Sequence, residues 1–416
     1  MKIMWLVNII FPYPATQLGL SKSVFGGWLS GLFDNLLKNK KIKKFVVATT
    51  YKGNKLLKFI DGNVTYYLVP CKNNTKYYKS QEKYWKEIYD LEKPDVVHIH
   101  GTEFPHSLCF LRACGGNKVC ISIQGLVSVI SKKEIYYAGV DKFPITFRDF
   151  IRFDNIYQQR KKYEKRGFFE NEALRLSNTV IGRTLWDKAY AYSVNSKVNY
   201  VSCNESLRSI FYKRKWNINN IERHSIFVSQ ASYPIKGFHK LLEASVVLKE
   251  KYPDLKIYVA GMTIVEKSTI KDKIKLSGYG KLLNDLIKKN NLFDNVVFTG
   301  LLSEEKMCDR LLKSNVFVQC SSIENSPNSL GEAMLVGMPC VASNVGGTSD
   351  MLLDKKEGFL YSFGDLKELV KLIDQIFSDE QLAVKLGSEA KKHALITHDV
   401  KSNVEQIIKI YEGICK

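Results

Sequence analysis

Two glutamates separated by seven residues, Glu324 and Glu332, are the side chains in this sequence best placed to do chemistry. They lie in the stretch Ser321-Ser322-Ile323-Glu324-Asn325-Ser326-Pro327-Asn328-Ser329-Leu330-Gly331-Glu332-Ala333, a strand-end loop running into a helix. Asn328 or Ser326 is suited to cap that helix, Glu332 falls within its first turns, and Gly337-Met338-Pro339 stops it. Glu324 therefore lies in the loop, facing the helix start. Amides at a helix N-terminus form a ready site for phosphate. Carboxylates flanking them suit the hydroxyls of a ribose and a hexose, so one motif could hold three parts of a nucleotide-sugar.

Such a site needs strand-end loops to carry it, and the chain supplies them. Its 416 residues are too many for one ordinary core and imply two α/β domains of about 200 residues each. Strands are expected over 2–10, 45–49, 95–100 and 119–123, with a loop over 11–23 and a helix to 37. Charge-rich helices are expected over 78–92 and 152–176. After a polar segment at 213–223 the pattern restarts, with a strand over 225–230 and a helix over 237–250. Further strands follow at 255–260, 296–299, 316–319 and 340–343, ending in Gly261, Gly300, a Ser-rich loop and Asn344-Val345-Gly346-Gly347. Alternation of this kind argues for doubly wound parallel sheets, whose ligand crevice lies beyond the carboxyl ends of the strands. The expected domains are 1–215 and 216–396. A last helix within 397–416 could pack on either domain, including back on the first.

The net charge is +20, and residues 1–200 hold 32 Lys and Arg against 16 Asp and Glu. That field attracts phosphates, whether of nucleic acid, anionic lipid or a pyrophosphate-linked acceptor, and does not by itself choose among them. The basic helical stretch 157–166 fits either an anionic lipid surface or an ordinary solvated face. The longest early apolar stretch, 3–11, is broken by Asn8 and followed by Pro12 and Pro14, so it reads as a strand and not a span. It lacks a secretory cleavage site, which makes the cytosol the expected compartment. The nine cysteines include no C-x-x-C pair and read as reduced core thiols. No His, Cys and carboxylate cluster has metal-ligand spacing, and Asp-x-Asp is absent, so no metal or other cofactor is expected.

The Glu324 to Glu332 motif resembles the signature of the retaining GT-B glycosyltransferases, especially the family-four group. The resemblance covers most of the chain and is strongest over 225–360. It implies that Glu324 contacts the transferred sugar and Glu332 the ribose, with backbone amides of Asn328, Ser329 and Leu330 offered to sugar and phosphate. A second segment, Ser229-Gln230-Ala231-Ser232-Tyr233-Pro234-Ile235-Lys236-Gly237, resembles the family loop in which an Arg and a Lys clamp the diphosphate. Lys236 fits the lysine and would stabilise charge on the leaving nucleoside diphosphate. Gln230 stands where the arginine is expected, so Arg183 or Arg208 must substitute or that stabilisation is weaker. Gly26 and Gly27, in the loop 21–28, resemble the glycine pair that lets backbone approach the phosphates. Gly261 joins them as a donor-binding residue. Where the family often has a histidine, this chain has Gln124, which can hydrogen-bond a sugar but cannot act as a general base. His98, on a buried strand, reads as structural, and His100 at the strand end as a sugar or acceptor contact alongside Gln124 and Gln230.

The resemblance implies two Rossmann-like domains facing each other across a cleft. It implies transfer of a hexose-type sugar, with retention and without a metal, from a nucleotide diphosphate donor, UDP in preference to GDP. The expected acceptor is a cell-surface polysaccharide or lipid-pyrophosphate-linked glycan precursor, such as one for capsule or O-antigen, at the inner face of the plasma membrane. An anionic membrane surface is an expected partner and nucleic acid is not. Two rivals stand beside this reading: a nucleotide-sugar epimerase on the same scaffold, and a non-catalytic basic binding protein.

Overall fold

A computed structural model describes residues 1–20, 26–265 and 274–416. The chain divides into two compact units, one of residues 1–129, 162–207 and 398–416 and the other of 130–161 and 208–397. The sequence reading put one boundary at 215 and all of 130–161 in the first domain. The structure instead moves 130–161 to the second unit, because its helices are too short to build a core alone and bury Tyr136, Tyr137 and Phe143 there.

The first unit is built on eight strands: β1 (Lys2–Leu6), β2 (Lys44–Tyr51), β3 (Leu57–Asp61), β4 (Val64–Pro70), β5 (Val96–His100), β6 (Val119–Ser122), β7 (Thr179–Gly182) and β8 (Asn199–Ser202). Their order is β3-β4-β2-β1-β5-β6-β7-β8, parallel except for the edge strand β3. Both faces of a parallel sheet must be covered, and the alternation along β1 shows how. Ile3, Trp5 and Val7 join the core beneath helices Gly27–Leu37 and Val400–Cys415, whereas Met4 and Leu6 join the core beneath helices Glu82–Glu92 and His106–Cys114. The last helix thus packs on the first sheet. Tyr411, fully buried, accepts from Trp5 Nε1 at 2.9 Å, and its hydroxyl lies 2.7 Å from His98 Nδ1.

The second unit holds β9 (Ser225–Val228), β10 (Lys256–Ala260), β11 (Val296–Gly300), β12 (Val316–Gln319), β13 (Cys340–Ser343) and β14 (Phe359–Tyr361). All pair in parallel, in the order β11-β10-β9-β12-β13-β14. From β9 the chain winds outward to β10 and β11, then returns to the other side of β9 as β12. The crevice of this sheet therefore opens beyond the ends of β9 and β12.

Several expected bounds shift. β1 ends at Leu6, and 12–17, read as loop, forms the short helix Pro12–Gln17, with prolines where no amide partner is needed. The helix expected over 152–176 runs Ile156–Arg175, and a separate short helix, Phe147–Arg152, precedes it and ends where Phe153 takes a left-handed φ of 47°. Among the described residues no helix is long and apolar enough to cross a membrane.

Candidate functional site

The loop after β12 meets the loops after β9 and β13 through one glycine in each. The loop after β9 ends in the single turn Pro234–Lys236, closed by Gly237 at φ 65°. A Cβ on Gly237 would overlap the Cys320 carbonyl oxygen, so only glycine lets this loop lie against the end of β12. Ser322 N then donates to the Ile235 carbonyl at 2.8 Å. On the far side, Gly346 (φ 55°) leaves no room for a Cβ beside the Glu324 carbonyl oxygen, which accepts from Gly347 N at 3.0 Å. The segment 320–324 is thus held by backbone from both neighbouring loops.

That grip brings side chains together. Lys236 Nζ lies 2.6 Å from Glu324 Oε1, and Ser321 Oγ donates to the same oxygen at 2.7 Å. Glu332, on the helix Asn328–Val336, accepts a side-on fork from Arg208, with Nε at 2.6 Å and Nη2 at 2.7 Å. Burial pushes the Glu332 carboxyl up, and the Arg208 guanidinium opposes it. Two short charge-assisted hydrogen bonds nonetheless require the ionised carboxylate. Each of its oxygens keeps acceptor capacity beyond the fork.

The helix start differs from the expected cap. Its N-cap is Pro327, with no side-chain cap, in place of Asn328 or Ser326. Proline offers no side-chain acceptor, yet its fixed φ suits a helix entry. Leu330 N is taken by the Pro327 carbonyl at 3.0 Å, so its amide serves the helix and not a ligand, and the expectation passes to Asn328 and Ser329. Gln230, in the loop just beyond β9, lies beside Gly261, whose φ is 96°. Of the two cations named as substitutes for an arginine at 230, Arg208 lies in this unit on Glu332. Arg183 belongs to the first unit, where it pairs with Glu205 at 2.8 Å.

The remaining expected residues lie in the first unit. Gly26 (φ 81°) precedes the helix that begins at Gly27, and a Cβ there would meet Ile9 Cδ1 at 2.7 Å. Ser21 to Phe25 of that loop lie outside the described residues. Gln124 Nε2 donates to Glu205 Oε1 at 2.7 Å, so its amide helps complete the Arg183–Glu205 pair. His100 does not present its ring at an open surface: it is 2% exposed, tilted against the His98 ring with centroids 3.8 Å apart, and edge-on to Trp5. Neither of its ring nitrogens has a hydrogen-bond partner, and burial holds its pKa well below the usual histidine range. With Ser122 and Arg183 it lines a cavity of 20 Å³, room for about one water. His98 is structural: burial pushes it down to about 3, and it bridges Tyr411 and, at 2.6 Å, Ser122 Oγ.

Sequence reasoning missed Ser321, whose serine-rich surroundings gave no sign of which hydroxyl would meet Glu324. It also missed Glu205, 81 residues from Gln124. Among the described residues no group of three or more His, Cys, Asp or Glu is placed to hold a metal ion.

Residues 209–393 match the family described as Glycosyl transferases group 1. The putative glycosyltransferase EpsD of Bacillus subtilis is 28% identical over 180 residues, 43% of this chain and 42% of that protein. The Escherichia coli UDP-Gal:alpha-D-GlcNAc-diphosphoundecaprenol alpha-1,3-galactosyltransferase is 26% identical over 158 residues, 36% of this chain and 40% of that protein. The matches thus span less than half the length of these two relatives. The structure of Anabaena Alr3699/HepE in complex with UDP and glucose matches 99% of this chain and 100% of its own, with a TM-score of 0.67 at 16% identity. The second unit therefore carries a Glycosyl transferases group 1 domain, and the chain has the GT-B fold of two Rossmann-like sheets.

Proposed function

We propose that this chain is a family-four glycosyltransferase that moves a hexose-type sugar from a UDP-sugar to a polysaccharide or lipid-linked glycan, with retention and without a metal. The observation that carries the reading is the pairing of Lys236, on the loop beyond β9, with Glu324, on the loop beyond β12, ahead of a helix whose Glu332 is held by Arg208. A helix start without a side-chain cap lies between the two glutamates, where a diphosphate would be met by backbone dipoles. The UDP preference is supported by the HepE complex, and a lipid-linked acceptor by the E. coli relative, which is named for one.

Each residue then has a distinct task. Glu332, oriented by Arg208, accepts hydrogen bonds from the ribose hydroxyls. Lys236, positioned by Glu324, offers its remaining donors to the diphosphate. As the bond from the anomeric carbon to the phosphate oxygen breaks, charge grows on the leaving UDP, and a fixed cation there lowers the barrier. The anomeric carbon bonds to the acceptor oxygen on the same face, and the acceptor proton passes to the leaving phosphate. Glu324 holds a sugar hydroxyl through the transfer. Gln124 lies in the loop that follows β6 of the first unit, and we assign the acceptor to that unit.

Calorimetric titration of UDP, GDP and ADP in EDTA into wild type and Lys236→Met tests the reading. UDP is expected to bind in preference to the others, and the substitution to weaken it. Failure of all three to bind, or equal binding by the variant, would sink the donor assignment.

A further inference from the structure

The first sheet has a switch point of its own. From β1 the chain winds outward to β2, with β4 and β3 beyond it, and then returns to the other side of β1 as β5. The crevice of this sheet therefore opens beyond the ends of β1 and β5. Asn8 follows β1 there and Glu103 follows β5, and Asn8 Nδ2 donates to Glu103 Oε2 between them at 3.4 Å.

The backbone makes room for this pair. Gly101, the first residue after β5, has a φ of 95°, and a Cβ on it would overlap Glu103 Oε2 and lie 2.9 Å from Asn8 Nδ2. The other carboxylate oxygen, Oε1, accepts from Gly125 N, in the loop after β6, at 3.0 Å. Tying the β5 and β6 loops together is already the work of Glu170. That side chain is fully buried and accepts from Thr102 Oγ1 at 2.8 Å, Ser128 N at 2.8 Å and Val127 N at 3.2 Å. Glu103, by contrast, stays partly exposed.

The capacity left over on the pair is all of one kind. Asn8 directs its amide N–H at Glu103, and its buried Oδ1 has no hydrogen-bond partner among the described residues. A carboxylate has about four acceptor positions, more than Gly125, Asn8 and the residue's own amide fill. A partner must therefore bring donors. Burial pushes the Glu103 carboxyl up, and its own amide, the Gly125 amide and the Arg166 and Arg183 guanidiniums oppose it. Neither cation is turned to solvent: Arg183 is paired with Glu205, and Arg166, 7% exposed, lies over the Tyr163 ring at 4.1 Å. Sugar hydroxyls supply donors without charge, whereas a phosphate or a uronate would set a second anion against Glu103.

We propose that Asn8 and Glu103 are specificity-determining residues that hold two hydroxyls of an uncharged sugar of the acceptor. The proposal deepens the reading of this chain as a glycosyltransferase with its acceptor on the first unit, and rests on it.

Titration of the full chain with the methyl glycosides of galactose and N-acetylglucosamine, and of glucuronic acid as the anionic counterpart, followed by saturation-transfer NMR, tests it. Wild type is expected to bind a neutral glycoside, and the glucuronide about tenfold more weakly or less. Glu103→Gln should weaken the neutral glycoside about tenfold and bring the two within about threefold of each other. Asn8→Ala should weaken the neutral glycoside and keep the preference. Wild type that binds none of the three, or binds the glucuronide as well as the neutral sugars, overturns the proposal without any variant having to fold. Unchanged binding in either variant overturns it too, and so does weaker binding by Glu103→Gln with the preference intact, which would make Glu103 a structural tie. UDP titration of the same preparations reads the donor site separately. Wild type that fails to bind UDP would sink the glycosyltransferase reading, whereas intact UDP binding without a glycoside preference sinks this inference alone.

Discussion

The Arg208–Glu332 fork separates a structural from a functional role if both partners are changed together. Their side chains are 18% and 7% exposed, so removing one strands a largely buried charge. Glu332→Gln or Arg208→Met should each cost about 3 kcal/mol, a fall of about 6–12 °C for a unit of this size. Replacing both by methionine removes both charges, keeps apolar volume, and should restore stability to within about 1 kcal/mol of wild type. Donor affinity should not follow. Loss of an ionised acceptor from the ribose is worth about 1.5–3 kcal/mol, or about 10- to 100-fold in Kd for UDP. Thermal unfolding and calorimetric titration on the same four proteins measure both quantities. A double variant that regains stability and binds UDP like wild type would refute the assignment and leave the fork a packing device.

Other perturbations read other parts of the molecule. Gly346→Ala should destabilise the second unit by about 2–4 kcal/mol, because the new Cβ meets the Glu324 carbonyl at a left-handed φ; an unchanged melting temperature would contradict it. His239 donates from Nε2 to the Ala138 carbonyl at 2.9 Å, and burial pushes its pKa down to about 4. The unfolded chain therefore binds the proton first, and stability should fall by about 2 kcal/mol between pH 7 and pH 5. Hydrogen exchange over 135–139 would report it, and His239→Gln should remove that part of the pH dependence. Tyr411→Phe should cost about 2 kcal/mol in the first unit, since Trp5 Nε1 loses its acceptor in a dry core. Chemical denaturation followed by tryptophan emission would show a smaller loss if the hydroxyl is dispensable.

The second sheet was legible because each of its strands except β14 is an apolar run closed by Gly or Ser, and such runs are what a doubly covered parallel strand requires. Lys236 and Glu324 could be placed on strand-end loops for the same reason, and Glu332 on the helix that follows. What escaped was set by distance along the chain. Strands β3, β4, β7, β8 and β14 were not anticipated; β3 and β14 are edge strands, one largely exposed and the other of three residues, and β7 and β8 have only four residues each. The partnership of Gln124 with Glu205 spans 81 residues, and the passage of 130–161 into the second unit leaves no local mark, because burial there is decided by Tyr279 and His239. The short helix Phe147–Arg152 escaped because its apolar residues follow no inward stripe.

The helix that closes one face of the first sheet has a consequence for how the protein is made. Trp5 and His98 emerge early from the ribosome, but Tyr411 and Ile407, which cover them, follow β8 by roughly 200 residues. At about 5–20 residues per second, that face waits about 10–40 s for its cover, while the whole second unit is synthesised and can fold. The earliest-made sheet is therefore the last to be completed, and during that interval the part of the face that Gly27–Leu37 leaves uncovered is the surface a chaperone would hold.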